Sequence, residues 1–264
     1  MPFITANSLS LYYERAGAGD PLLFISGTGG DLRNKPNMFD RGLPQAFDLI
    51  AYDQRGLGQS EKPDRPYTMA DYADDAARLL DALNIPRARV IGMSFGGMVA
   101  QELVLRHPEK VERLVLGCTS PGGAGGSSFK FHEIEDLKGE ARTRHLMAIN
   151  DTRRDAAWQA ANADQVAAII EQSNPKFEDE PSRAMGAHRQ LEARRHHDTW
   201  ERLPQIKIPV LVAGGKYDGI APPEIVELLA KRIPGAELQW FEGGHLFTVQ
   251  DRNATPAFIE FLKR

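Results

Sequence analysis

Three short segments carry residues that could together perform nucleophilic chemistry: Gly92-Met93-Ser94-Phe95-Gly96-Gly97, Tyr217-Asp218 and Gly243-Gly244-His245. A serine hydroxyl is a weak nucleophile at neutral pH and needs a base beside it. An imidazole supplies that base, and a carboxylate fixes the imidazole tautomer and stabilises its cation. Ser94, Asp218 and His245 stand in the order serine, acid, histidine, and each follows a run that reads as a buried strand. A parallel sheet would deliver all three to one edge.

The G-x-S-x-G pattern around Ser94 calls for a sharp turn between strand and helix, with the small residues Gly92 and Gly96 leaving room for a strained backbone. Alone the pattern is weak, and a glycine-rich packing turn would also satisfy it. The strand-like run before Ser94 and the helix-like run from Phe95 favour the first reading. Asp53 is a rival acid, but it precedes the serine, and with Arg55, Gly56 and Gly58 it reads as a turn former. Of the histidines, His107 closes a helix, and His132, His145, His188, His196 and His197 fall in a charged region where solvated faces explain them. His245 stands apart by position. An oxyanion needs two preorganised N–H donors. Phe95, after the serine, offers one; the loop Ser26-Gly27-Thr28-Gly29-Gly30 offers the other, with Thr28 the chosen donor and Gly29 the alternative. A phosphate loop is disfavoured because no Lys-Ser/Thr pair follows these glycines.

The elements that must position these residues alternate. Short apolar runs at Pro21–Ile25, Asp48–Tyr52, Val90–Met93, Leu114–Leu116 and Pro209–Ala213 suit parallel strands covered on both faces. Leu9–Tyr13 reads as an early antiparallel strand and Leu238–Phe241 as the strand before His245. Thr68 can cap a helix that puts Tyr72, Ala73, Ala76, Leu79, Leu80 and Leu83 on one face, ended by Asn84 and Pro86. Further helices are expected from Phe95 to Arg106, Glu224 to Arg232 and Thr255 to Leu262. This βαβ succession implies right-handed crossovers in a mainly parallel sheet. From about Pro121 to Leu203 the alternation stops. That stretch opens on a flexible Gly/Ser segment, 121–128, and predicts helices at 140–150, 155–172 and 181–196. It reads as a helical cap inserted between two strands.

A chain of 264 residues, 42 % of them hydrophobic, can bury a large core in one domain. Its net charge of −4 gives no general attraction to nucleic acid or anionic lipid, so neither partner is expected. The N-terminal residues lack a signal-peptide pattern and no apolar run reaches membrane-spanning length, so a soluble, cytoplasmic protein is expected. The single cysteine, Cys118, reads as a packed core thiol.

The strand and loop from Phe24 to Gly30, Asp53-Gln54-Arg55-Gly56-Leu57-Gly58-Gln59-Ser60, the turn at Ser94, the acid at Asp218 and Gly243-Gly244-His245 together resemble the α/β-hydrolase superfamily. The likeness runs from Phe3 to the last helix and is greatest to the small branch of enol-lactonases, carboxylesterases and cofactor-free haloperoxidase-like enzymes. It implies an α/β-hydrolase fold: a mostly parallel eight-stranded sheet flanked by helices, with a helical cap between strands six and seven. The division is then 1–120 and 204–264 for the core and 121–203 for the cap. The chain departs from many members in having Ser26-Gly27 where they have His-Gly. A serine rather than an aspartate nucleophile argues against haloalkane dehalogenase and epoxide hydrolase chemistry, which need a carboxylate.

The expected activity is hydrolysis of a small-molecule ester or lactone through an acyl-enzyme on Ser94, with no metal or cofactor. C–C bond hydrolysis, cofactor-free haloperoxidase or oxygenase chemistry, and a small-ligand receptor with vestigial hydrolysis stand as alternatives. The expected pocket residues are Gly27, Gly29, Met98, Met147, Trp158 and Phe247, with Phe95 and Trp200 also considered. Arg189, Arg194, Arg195, His196 and His197 could place positive charge over the pocket, or form a solvated helix face. The cap offers a face for a homodimer.

Overall fold

The computed structural model of the protein describes residues 2–173 and 176–264. Strands β1 (Phe3–Ala6), β2 (Leu9–Ala16), β3 (Pro21–Ile25), β4 (Asp48–Tyr52), β5 (Ala88–Met93), β6 (Val111–Gly117), β7 (Val210–Gly215) and β8 (Glu237–Phe241) form one eight-stranded sheet in the order β1-β2-β4-β3-β5-β6-β7-β8. β1 and β2 are joined through Asn7 and Ser8, both at positive φ, and β2 pairs antiparallel with both β1 and β4. The remaining pairs are parallel. The sheet, its mixed edge and its helical flanks are the α/β-hydrolase arrangement that the resemblance implied.

Strand periodicity divides the core. Leu114 and Leu116 point to one face with Leu23, Val90 and Val212; Val115 points to the other with Leu22, Ile91 and Leu211. On the first face lie α1 (Met69–Ala82), α2 (Phe95–Arg106) and α7 (Pro223–Arg232); on the second lie α8 (Phe247–Gln250) and α9 (Ala254–Lys263). α1 begins in a reciprocal cap between Thr68 and Asp71, buries the face of Tyr72, Ala73, Ala76, Leu79 and Leu80, and is followed by Asn84 in the left-handed region.

Between β6 and β7 stand α3 (Gly139–Asn150), α4 (Ala156–Ala161), α5 (Ala163–Gln172) and α6 (Arg183–Arg195). The single helix expected over 155–172 is two. Asn162 breaks it: its backbone leaves the helical region and its side-chain amide donates to the Trp158 carbonyl at 2.8 Å, an alternative partner that asparagine offers the backbone. The Gly/Ser stretch is no loose linker either. Gly122 N–H donates to the Gly126 carbonyl at 3.1 Å and Ser128 N–H to Ser120 Oγ at 3.0 Å. Among the described residues no helix is long and apolar enough to cross a membrane.

The two crossings of this insertion are fastened side by side. Thr199 N–H donates to the Pro121 carbonyl at 2.9 Å, its hydroxyl to Gln101 Oε1 at 2.7 Å, and His197 Nε2 to the Ser120 carbonyl at 3.1 Å. The His197 ring is buried, and desolvation, with the charges of Arg202 and Arg194 nearby, pushes its pKa down to about 3. Folding therefore favours the neutral ring. This contribution is complete above the unfolded value of 6.5 and is lost as pH falls towards 3, at about 1.4 kcal/mol per pH unit. Denaturant melts at pH 7.5 and 4.5 should show His197→Gln losing about 2–3 kcal/mol less than the wild type over that interval. Equal losses would remove His197 as the source.

Candidate active site

Ser94 sits where β5 ends and α2 begins, with φ 55° and ψ −117°. That is a costly conformation for a residue with a Cβ, and it survives only where its surroundings enforce it. The Ser94 N–H donates to the Gly117 carbonyl at 2.8 Å, and its own carbonyl accepts from Gly97 N–H at 2.9 Å and Thr119 Oγ1 at 2.8 Å. Strand and helix approach so closely that a Cβ on Gly92 would lie 2.4 Å from the Gly96 carbonyl oxygen, and one on Gly96 would lie 2.1 Å from that of Ile25. These contacts explain both glycines of the motif.

Asp218 follows β7 and His245 follows β8, so both loops reach the sheet edge where β5 delivers Ser94. His245 Nδ1 lies 2.8 Å from Asp218 Oδ2, and Nε2 lies 2.9 Å from Ser94 Oγ. A carboxylate only accepts, so Nδ1 carries the proton and the bare Nε2 faces the serine hydroxyl. The other Asp218 oxygen accepts the N–H groups of Ile220 and Ala221 at 2.7 and 2.9 Å, which holds the carboxylate in place. All three side chains are nearly enclosed, at 8 % exposed for Ser94, 2 % for Asp218 and 9 % for His245. Asp53 is elsewhere. Its oxygens accept Leu32 N–H and Gln59 N–H, each at 2.8 Å, and burial raises its pKa to about 6.

The loop after β3 flanks the serine, where a Cβ on Gly27 would lie 3.3 Å from that of Ser94. Gly30 N–H closes a turn onto the Gly27 carbonyl at 3.2 Å, and Gly29 occupies φ 71°, which a side chain would resist. Thr28 is thereby carried to the tip of the loop. Phe95 is the first residue of α2, so its N–H has no partner within the helix and lies at the end where the helix dipole favours negative charge.

A cavity of about 560 Å³ opens over Ser94 and His245 and is lined by Gly27, Thr28 and Gly29, together with Arg142, Leu146, Gln190 and Leu191 from the insertion. Four residues expected in the pocket are placed outside that lining. Met98 borders a neighbouring cavity of about 320 Å³ with Ser128 and Arg194. Met147 lines a separate recess between α3 and α5. Trp158 lies under the Arg154 guanidinium at 5.4 Å. Phe247 stacks on Phe241 at 5.2 Å within the core. The charged run also divides: Arg189 pairs with Asp64 and Glu192, Arg194 and His197 turn inward, and Arg195 and His196 are exposed. Cys118 touches the cavity, but burial pushes its thiol pKa well up. Gln190 and Arg142 were not singled out by sequence reasoning; the one available signal was that Gln190 and Arg194 share a helix face. Among the described residues no group of three or more His, Cys, Asp or Glu side chains is arranged to hold a metal ion.

Residues 20–163 match the sequence profile of the α/β-hydrolase fold. RutD of Azorhizobium caulinodans, whose name gives carbamate hydrolysis as a provisional activity, is 30 % identical over 261 residues, covering 94 % of this chain and 92 % of that protein. A poly(3-hydroxyalkanoate) depolymerase of Ectopseudomonas oleovorans is 31 % identical over 253 residues, covering 92 % of this chain and 84 % of the depolymerase. The enol-lactonase of Burkholderia xenovorans LB400 superposes over 100 % of both chains with a TM-score of 0.80 at 26 % identity. The chain belongs to the α/β-hydrolase family.

The close approach at the turn makes a stability prediction. Gly96→Ala must push the helix off the Ile25 carbonyl and should lower the unfolding free energy by about 2 kcal/mol or more, read from denaturant midpoints. An unchanged midpoint would mean that the turn tolerates a Cβ.

Proposed function

We propose that the protein is a serine hydrolase that cleaves a carboxylic ester or lactone of a small molecule by two-step acyl transfer. One observation carries this reading: the unbroken hydrogen-bonded series from Asp218 through His245 to Ser94 Oγ, with the serine facing a cavity. Ser94 Oγ attacks the carbonyl carbon while His245 Nε2 takes its proton, and the carbonyl π pair moves onto oxygen. The N–H groups of Thr28 and Phe95 hold that oxyanion. Its collapse expels the alcohol, which receives the proton from His245, and leaves an acyl group on Ser94. Water, deprotonated by His245, then releases the acid and restores the serine.

Residues 121–203 serve in this reading as the cap that covers the acyl site. The names of the depolymerase and the enol-lactonase support ester and lactone chemistry. Steady-state hydrolysis of p-nitrophenyl esters and γ-lactones tests the proposal. Ser94→Ala should lower kcat by on the order of 10⁴ to 10⁶-fold, and Asp218→Asn by about 10⁴-fold. A p-nitrophenol burst matching the enzyme concentration should mark the acyl-enzyme. Turnover that persists in Ser94→Ala would exclude the mechanism.

A further inference from the structure

α6 carries Gln190 and Arg194 one turn apart, on a face laid against the loop that presents Thr28. Gln190 Oε1 accepts the Gly29 N–H at 2.9 Å, and Arg194 Nη1 donates to Thr28 Oγ1 at 2.8 Å. The insertion thus grips both residues at the tip of this loop. Both gripping side chains are buried, Gln190 at 1 % and Arg194 at 8 % exposed.

Arg194 differs from Arg183, which also joins the insertion to the loop after β3. Arg183 pairs with Asp31, which also pairs with Arg33, and Arg33 pairs with Glu180. The partners of Arg194 are all neutral: Thr28 Oγ1, Ser128 Oγ at 2.7 Å, the Phe129 carbonyl at 3.2 Å, and the Phe131 ring at 4.4 Å. Among the described residues no carboxylate pairs with it. Desolvation pulls its pKa down to about 10, which still leaves it cationic at neutral pH. A buried guanidinium with no counter-charge is a standing cost to the fold. A hydrogen bond that only tethered a threonine hydroxyl would not require it. The charge lies one hydrogen bond from the residue whose N–H would meet the developing oxyanion, where positive potential is useful only while that negative charge exists.

We propose that α6 is part of the oxyanion machinery, Gln190 and Arg194 being positioning residues that fix the Thr28 turn, with the uncompensated charge of Arg194 stabilising the oxyanion through it. This rests on acyl transfer at Ser94. The grip matters because glycines on both sides of Thr28 leave the tip many backbone conformations when nothing holds it.

The test compares wild type with Gln190→Met, Arg194→Met, Arg194→Lys and Thr28→Val, after thermal melts confirm cooperative folding. Two inhibitors of one shape separate the states: a trifluoromethyl ketone and its methyl ketone. Ser94 Oγ adds to the first, breaking the C=O π bond and leaving an oxyanion while the hydroxyl proton passes to His245. The second binds largely unadded. Arg194→Met and Gln190→Met should lower kcat on the order of 10- to 100-fold with KM changed less than about threefold. Trifluoromethyl ketone affinity should fall by the factor lost in kcat/KM, while methyl ketone affinity holds. Arg194→Lys should recover much of the loss. Thr28→Val, which keeps the N–H and removes only the hydroxyl, should be non-additive with Arg194→Met. Equal weakening of both ketones, or no change in either, would overturn the inference while leaving the acyl-transfer reading intact. Absence of Ser94-dependent turnover in the wild type would overturn both.

Discussion

A serine held at φ 55° between a strand and a helix is the constraint from which the rest of the site follows. Such a backbone costs about 1–3 kcal/mol and must be offset by neighbours that leave it no alternative. Here the neighbours come from three directions. β6 accepts the Ser94 N–H, the Thr119 hydroxyl donates to its carbonyl, and the Ile25 carbonyl occupies the space a side chain on Gly96 would need. The last contact also fixes how closely the end of β3 approaches, and so where the loop carrying Thr28 emerges. One turn therefore sets the position of a hydroxyl, of the Phe95 N–H, and of the loop opposite.

The insertion between β6 and β7 holds this arrangement from two sides. At the end of α3 the last carbonyls have no partner within the helix. Ile149 accepts instead from Gly219 N–H at 3.0 Å and Asn150 from His245 N–H at 2.6 Å, so the helix end is satisfied by the loops that carry Asp218 and His245. Thr152 N–H donates to the Tyr217 carbonyl at 2.9 Å, and Gln250 bridges Asp151 Oδ2 to Gly244 N–H. On the opposite side α6 meets the Thr28 loop. Displacing the insertion would leave helix-end carbonyls and loop amides without partners together, which couples its seating to the placement of the imidazole.

Much of the fold was legible because strands buried on both faces leave continuous apolar runs bounded by glycine, and that pattern survives in sequence. The segments bearing Ser94, Asp218 and His245 could be placed at one sheet edge for the same reason. The cavity wall was not legible. Met98 and Phe247 have the apolar character of a pocket residue, but in the fold that character serves the neighbouring cavity and the stack on Phe241. Which apolar side chain faces a void is decided by tertiary packing, to which helical spacing is blind. The run Arg194-Arg195-His196-His197 was equally opaque: its ends turn inward and its middle outward, as a helical period at the close of α6 dictates.

The two inward members of that run show how burial treats different bases. His197 meets the loss of water by giving up its proton, and the neutral ring donates from Nε2 to the Ser120 carbonyl while its buried Nδ1 has no partner among the described residues. Arg194 has no such escape, because a guanidinium keeps its proton even when desolvated. It must either find a carboxylate or remain an uncompensated charge. Asp31 and Glu180 hold arginines at the rim of the same interface, so ion pairing is a solution this chain uses there. Among the described residues no such pair forms at Arg194, whose neutral acceptors include the Thr28 hydroxyl, so its positive potential stands behind the loop that lines the cavity over Ser94.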